Sequence, residues 1–187
     1  NLIDDVTNLR SGELSMFIRL GTDVKSNFYE YEIPLQLTPH GNYNNWVESD
    51  RSAVWPHDNC MDIKRQNLVD LKKARNRAKS EEGSNVGFAT LYTGRDPDNE
   101  RNRIAVMGNP SLSDVRVMLV GVRNNSNSTK DGIVWVNELK VTDFDEEGGW
   151  AAKANVNLGV SDVATVNFST HMETAGFGNV DQSLNSR

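Results

Sequence analysis

Residues 27–37 read NFYEYEIPLQL, and this stretch indicates how the chain folds. Phe28, Glu30 and Glu32 alternate with two tyrosines and an isoleucine. A period of two in a segment rich in aromatic and branched residues is typical of a β-strand. Pro34 has no backbone N–H to donate to a ladder, so it suits a strand end or a sheet edge. The pattern therefore predicts a strand that finishes near this proline.

Comparable patterns recur along the chain and predict a mainly β fold. Further strands are predicted for residues 14–20, 88–92, 104–107, 114–122 and 132–141. The last two flank a polar loop, NNSNSTKD, and are predicted to pair as a hairpin. Leucine and alanine recur at three- and four-residue spacing only in residues 66–79, which predicts one helix. Many short strands with one helix favour a jelly-roll-like β-sandwich of the galactose-binding-like kind.

The polar stretches between these elements are predicted to be loops. Residues 38–58 combine proline, glycine and asparagine, and residues 95–103 are densely charged. Trp135 lies within the apolar run IVWVNEL, which predicts that this side chain packs in the core.

Residues 152–160 and 164–169 have a different texture from the rest of the chain. Small apolar side chains alternate there with uncharged polar ones. Two adjacent strands of an outer-membrane barrel, with one lipid face and one wet face, show this pattern. A soluble hairpin that packs on a core shows the same alternation, so the pattern alone leaves both readings open.

Charge and composition exclude some classes of partner. The net charge of −6 argues against general affinity for nucleic acid. Residues 64–79 nevertheless hold seven basic residues and one acidic residue. Lys72, Lys73 and Arg75 are therefore candidates for docking a partner, and a solvated helix face is the alternative. The single cysteine, Cys60, excludes an internal disulfide.

An acidic turn is the best metal candidate in the sequence. Asp143, Asp145 and Glu147 have the spacing of the first ligands of an EF-hand loop. The twelfth position would be Ala154, where that loop needs a glutamate, and no helical pattern follows. A partial calcium site and a solvated turn are the two readings, and the second is the default.

No motif in the sequence predicts an enzyme or a bound cofactor. The nucleophile elbow, the HExxH zinc motif, the phosphate-binding loop and the dinucleotide fingerprint are all missing from the sequence. Trp46 and Trp55 lie in predicted loops and are the candidates for stacking on a glycan, as in jelly-roll carbohydrate modules. The residues alone therefore predict a β-sandwich without catalytic residues.

Several stretches, taken in order, resemble one family. They are FIRLGTDVKSNFYEYEIPL (17–35), VWPHDNCMDI (54–63), LVDLKKARN (68–76), GNPSLSDVRVMLVGVRN (108–124), VWVNELKVTDFDEEGGWAA (134–152) and TAGFG (174–178). Together they are similar to the SprA family, also called Sov, of gliding bacteria and their oral relatives. The resemblance runs over nearly the whole chain.

The resemblance implies a role in protein transport. Members of this family form the very large outer-membrane translocon of type IX secretion, which exports secreted cargo and supports gliding motility. The implied partners are a PorV-like barrel protein, a periplasmic plug protein and cargo, and the implied location is the outer membrane or cell surface. No catalytic residue is implied. The alternative reading is a carbohydrate-binding jelly-roll module at the cell surface.

The resemblance also implies a division of the chain into two parts. Residues 1–145 would be a jelly-roll-like insert, and residues 146–187 would be a strand pair from the barrel wall. The present chain would then be one piece of a much longer protein. Trp150 would lie near the membrane interface at the start of the second part.

Overall fold

A computed structural model of the chain describes residues 2–4, 8–142, 151–160 and 164–173. The strands within these ranges are β1 (Leu2–Asp4), β2 (Leu14–Gly21), β3 (Phe28–Pro34), β4 (Tyr92–Asp96), β5 (Asn99–Met107), β6 (Val117–Asn124), β7 (Gly132–Val134), β8 (Ala151–Val160) and β9 (Ala164–Glu173). The helices are α1 (Glu48–Val54) and α2 (Arg65–Ser80), with a 3₁₀ turn at His57–Asn59. The predicted mainly β fold is confirmed.

Five of the strands form one antiparallel sheet in the order β4-β5-β3-β2-β6. Strand β1 pairs with β7, and β8 pairs with β9, so each of these pairs forms a small sheet of its own. Val134 of β7 packs against the core of the five-stranded sheet. This arrangement fits a β-sandwich, whereas the assignment of β8 and β9 to a barrel stays a prediction.

The register of the five-stranded sheet gives it one apolar face. Ile18 of β2 lies opposite Tyr31 of β3 and Val120 of β6, and Tyr31 lies opposite Ile104 of β5. Residues directly opposite each other in antiparallel strands point to the same side of the sheet. Ile18, Tyr31 and Ile104 are buried and form the centre of the core.

Helix α2 covers the β4–β5 half of this apolar face. Leu68 and Leu71 belong to the same buried cluster as the strand residues. A Cβ built on Gly94 of β4 would lie 2.8 Å from the Leu71 side chain, so glycine allows the helix to approach the sheet closely. Burying both leucines stabilises the fold by about 4 kcal/mol in total.

A buried polar network also joins the helix to the sheet. The Tyr31 hydroxyl donates to Asp96 at 2.5 Å and accepts from the Asn102 amide at 2.9 Å. Asn67 at the start of α2 donates to the other oxygen of Asp96 at 2.8 Å. Since Asp96 is buried, its carboxylate depends on these donors for the hydrogen bonds it loses with water.

The structure corrects the predicted path of the chain at four places. The predicted strand 88–92 is wrong except at Tyr92, where β4 begins. Residues 95–103 are not a loop, because β4 and β5 form a hairpin there. Helix α1 lies in the predicted loop 38–58 and buries no residue, so it leaves no apolar periodicity in the sequence. Of the predicted strand 132–141, only β7 (Gly132–Val134) is a strand, and it pairs with β1. The predicted hairpin between residues 114–122 and 132–141 is wrong, because β6 pairs with β2.

Trp135 illustrates the last difference. It follows β7 directly and is 59% exposed, so the prediction that it packs in the core is wrong.

The chain divides into two compact units, Asn1–Asn137 and Glu138–Arg187. The first contains both helices and strands β1 to β7, and the second contains the β8–β9 hairpin. The predicted border near residue 145 falls outside the described residues. Within the described ranges, no helix has the length and apolar character needed to cross a bilayer.

Replacing Tyr31 with Phe tests the buried network. The change leaves Asp96 with one donor fewer and leaves the Asn102 amide without its acceptor, so we expect the free energy of unfolding to fall by about 1–3 kcal/mol. Tyr43→Phe is the matched control, because Tyr43 is partly exposed and its hydroxyl donates only to the Pro39 carbonyl. Urea unfolding of both variants measures the difference, and equal effects would contradict the proposed role of the network.

Candidate functional site

Five charged side chains share the face of the sheet that is opposite to the core. They form the ion cluster, which consists of Arg19, Glu30, Glu32, Arg103 and Arg123. These residues belong to four adjacent strands, β5, β3, β2 and β6. The alternation seen in β3 places both glutamates on this face, while Tyr29 and Tyr31 point to the core.

Glu30 is the centre of the ion cluster. Its carboxylate accepts from Arg19 Nε at 2.7 Å, from Arg103 Nη2 at 3.0 Å and from Arg123 Nη2 at 3.1 Å. The Glu30 side chain is 1% exposed, whereas the arginine side chains are between 22% and 32% exposed. The guanidinium groups therefore lie over the carboxylate and separate it from water.

Glu32 completes the ion cluster. It accepts from Arg103 Nε at 2.9 Å and also binds Arg123 and the Ser15 hydroxyl. Burial alone would raise the pKa of the Glu32 carboxyl, but the hydrogen bonds from Ser15, Arg103 and Arg123 outweigh burial and leave the pKa below its ordinary value. Glu32 is therefore ionised at neutral pH.

Aromatic rings frame the ion cluster. The Arg19 guanidinium lies 4.2 Å from the centre of the Phe28 ring, and that of Arg123 lies 4.7 Å from the Phe17 ring. A Cβ on Gly121 would come within 2.5 Å of Phe17, so glycine leaves room for this ring. Because the charges bind one another across strands, the cluster holds the sheet together and offers few free donors to a ligand.

Helix α2 carries the three predicted docking residues, and the structure places them differently. Arg75 is completely buried. Its Nη1 donates to the Gly108 carbonyl at 2.8 Å, and its Nε donates to the Asn76 side-chain oxygen at 2.9 Å. The guanidinium carbon lies 4.8 Å from the centre of the Phe88 ring. Burial also lowers the pKa of Arg75. Because its side chain is buried and bonded to the Gly108 carbonyl, Arg75 anchors the helix rather than meeting a partner at the surface.

Lys72 and Lys73 differ in their access to solvent. Lys72 donates to the Pro110 carbonyl at 2.8 Å, and burial lowers its pKa. Lys73 is exposed and pairs with Asp70, one turn away, at 2.8 Å. Of the three predicted residues, Lys73 is therefore the one that a partner can reach most readily.

A pocket of about 450 Å³ lies beside helix α1. Trp55 and Tyr43 are its aromatic walls, and Asp50 and Arg51 are among its polar lining residues. Trp46, the other predicted stacking residue, is 89% exposed and does not line this pocket. The structure thus separates the two tryptophans that the sequence treated alike.

The candidate calcium ligands Asp143, Asp145 and Glu147 lie outside the described residues. Within the part of the chain that is described, no group of three His, Cys, Asp or Glu side chains is arranged to hold a metal ion.

Sequence reasoning missed the ion cluster and the buried Arg75. The signal for the cluster was two glutamates on one face of a strand that is otherwise aromatic. When such a face is buried, its carboxylates need cationic partners. No comparable signal marks Arg75, because arginine is common on exposed helix faces.

Replacing Glu32 with Gln tests the ion cluster through its pH dependence. At neutral pH we expect the free energy of unfolding to fall by about 2 kcal/mol. Breaking a fully buried ion pair costs ~3–5 kcal/mol, and the loss here is smaller because the arginines are partly exposed to water. The folded pKa lies below the ordinary value of 4.5, so this contribution is present above that pH and is lost as pH falls through the folded pKa. The gap between wild type and variant should therefore shrink on acidification.

Urea unfolding from about pH 7 to about pH 3 measures this gap. Asp70→Asn is the control, since Asp70 forms an exposed pair with Lys73 that we expect to matter little. A gap between wild type and Glu32→Gln that stays constant over this range would contradict the account.

Comparison with known proteins places the chain in a family. Residues 2–187 match the SprA family, which is described as motility related/secretion protein. That description names motility and secretion and no enzymatic reaction, and it is consistent with a location in the cell envelope. Comparison with curated proteins gives no match. Because the family match covers nearly every residue and agrees with the resemblance in the sequence, the chain belongs to the SprA family of motility and secretion proteins.

Proposed function

We propose that this chain is a non-enzymatic structural and docking domain of a very large outer-membrane translocon used in type IX secretion and gliding motility. The observation that carries the proposal is the family match over residues 2–187. Residues 1–145 would form the jelly-roll-like insert, and residues 146–187, with β8 and β9, would belong to the barrel wall. The partners would be a PorV-like barrel protein, a periplasmic plug protein and secreted cargo.

The contacts of the first unit support a structural role. In its ion cluster, carboxylates and guanidinium groups bind one another across four strands. A carboxylate held in this way is stabilised in its ionised form and is poorly suited to exchange protons with a substrate. The ion cluster therefore supports a stabilising role rather than catalysis.

Exposed apolar side chains support a place in a larger assembly. Met118, Val120 and Val122 of β6 lie on the core side of the sheet but are each between 43% and 48% exposed. Contiguous apolar surface of this kind usually marks a region that other protein covers.

The outward face of α2 is the part of this unit best suited to docking an acidic partner. We define it by its exposed cations Lys73 and Arg77, which lie on the side away from Leu68 and Leu71. Residues four positions apart share one side of a helix, so these two cations are neighbours. A pair of cations steers an acidic surface toward the helix and fixes its orientation.

A second candidate function is carbohydrate binding by the sandwich at the cell surface. The pocket beside α1, with Trp55 in its wall, is the observation that favours it.

Fractionation of the cells that make the protein tests the translocon proposal. An antibody raised against this chain should detect one band far larger than 20.9 kDa, confined to the outer membrane. A soluble band near 20.9 kDa would contradict the proposal and favour the carbohydrate-binding alternative.

Reversing two charges tests the docking surface. We expect the double change Lys73→Glu and Arg77→Glu to reduce capture of the PorV-like barrel from outer-membrane extract roughly fivefold to tenfold, because like charges then face each other. Both side chains are exposed, so the fold should be unaffected.

Lys25→Glu is the matched control, because Lys25 is an exposed cation in the turn between β2 and β3. Quantitative mass spectrometry of the captured proteins measures the effect. Equal recovery of the barrel protein by both variants would contradict docking through α2.

A further inference from the structure

The pocket beside α1 has rigid walls. The Arg51 guanidinium pairs with Glu48 and donates to the Asn45 carbonyl at 2.9 Å. The backbone N–H of Asn44 donates to one oxygen of Asp50 at 2.8 Å. The backbone N–H of Trp55 donates to the Arg51 carbonyl at 2.8 Å. These bonds fix the backbone around the pocket before any ligand arrives, which lowers the entropic cost of binding.

Several polar groups of the pocket remain available to a ligand. Among the described residues, no hydrogen bond uses the Asn45 side-chain amide, the second oxygen of Asp50 or the indole N–H of Trp55. Together they offer donors and acceptors, which is the combination that a hydroxyl-rich ligand needs, since each hydroxyl can donate one bond and accept two.

The aromatic walls favour a ligand with one apolar face. Trp55 is 44% exposed and Tyr43 is 37% exposed, so both rings can be covered further. Their faces are apolar while their edges carry a polar N–H or O–H. The volume of about 450 Å³ lies within the range of about 300–1,000 Å³ usual for small-molecule sites.

The charge of the pocket selects against acidic ligands. Glu48 and Asp50 contribute two carboxylates, and Arg51 contributes one guanidinium. The remaining negative charge repels a phosphate or carboxylate group at short range. A neutral polyol with an apolar face satisfies all these conditions.

We propose that the pocket beside α1 binds a neutral sugar ring, which stacks on Trp55 and hydrogen-bonds to Asn45 and Asp50. The proposal rests on the second candidate function and gives it a site. It is independent of the translocon role, because failure of sugar binding leaves the fractionation result unchanged.

Nuclear magnetic resonance of the ¹⁵N-labelled 187-residue chain tests the proposal. The four tryptophans give four indole signals, each of which a substitution assigns. The probes are methyl glucoside, methyl mannoside, methyl galactoside, N-acetylglucosamine and the acidic glucuronate. We expect at least one neutral sugar to shift the Trp55 signal with a dissociation constant on the order of 1–10 mM, as the small size of one ring allows.

Three variants locate the binding site. Trp55→Ala lacks the Trp55 indole signal, so binding to it is followed by the backbone amide signals of Asn44 and Asn45, and it should weaken binding roughly fivefold to tenfold through loss of stacking. Asn45→Ala should weaken it roughly threefold and leaves the fold intact, because only the backbone carbonyl of Asn45 takes part in the local structure. Trp46→Ala is the matched control and should bind as the wild type does.

Three results would overturn the proposal. One is that none of the neutral sugars shifts the Trp55 signal. Another is that Trp46→Ala abolishes binding while Trp55→Ala and Asn45→Ala do not. The third is that glucuronate binds more tightly than methyl glucoside, since the pocket's negative charge should disfavour it.

Discussion

Two glutamates buried on one face of a sheet are the constraint on which the first unit depends. Removing a carboxylate from water costs several kcal/mol, and Glu30 and Glu32 recover this mainly through Arg19, Arg103 and Arg123, with a further hydrogen bond from Ser15 to Glu32. These partners come from three different strands, so each strand must be in register before the charges are satisfied. The ion cluster therefore specifies the strand order as well as stabilising it.

The two faces of the sheet explain where function can lie. One face is apolar and is covered over β4 and β5 by α2, which Arg75 and the Tyr31–Asp96 network fix in place. The other is closed by the ion cluster. The surfaces left to meet other molecules include the outward face of α2 and the pocket beside α1, and these carry the docking and sugar-binding proposals. A unit that presents binding surfaces to other molecules on a rigid sheet is consistent with membership of a motility and secretion family.

The sequence predicted those elements whose side chains alternate or repeat regularly. Strands β2 and β3 and helix α2 were found because one side of each is apolar. The predicted strand 104–107 is the end of β5, but the rest of the β4–β5 hairpin was missed because its charged residues resemble a loop. Arg103 lies in that charged part, and its partners are distant in the sequence. Likewise, local composition could not distinguish Trp55 from Trp46, since only the folded loop decides which ring lines a pocket.

A double-mutant cycle on Glu30→Gln and Arg123→Met tests the central claim most directly. These residues lie on β3 and β6 with β2 between them, and their side chains are 3.1 Å apart. If the ion cluster specifies the sheet, the two changes should couple by at least about 1 kcal/mol in the free energy of unfolding. Additive effects, with a coupling below about 0.3 kcal/mol, would show that the charges are incidental to the fold.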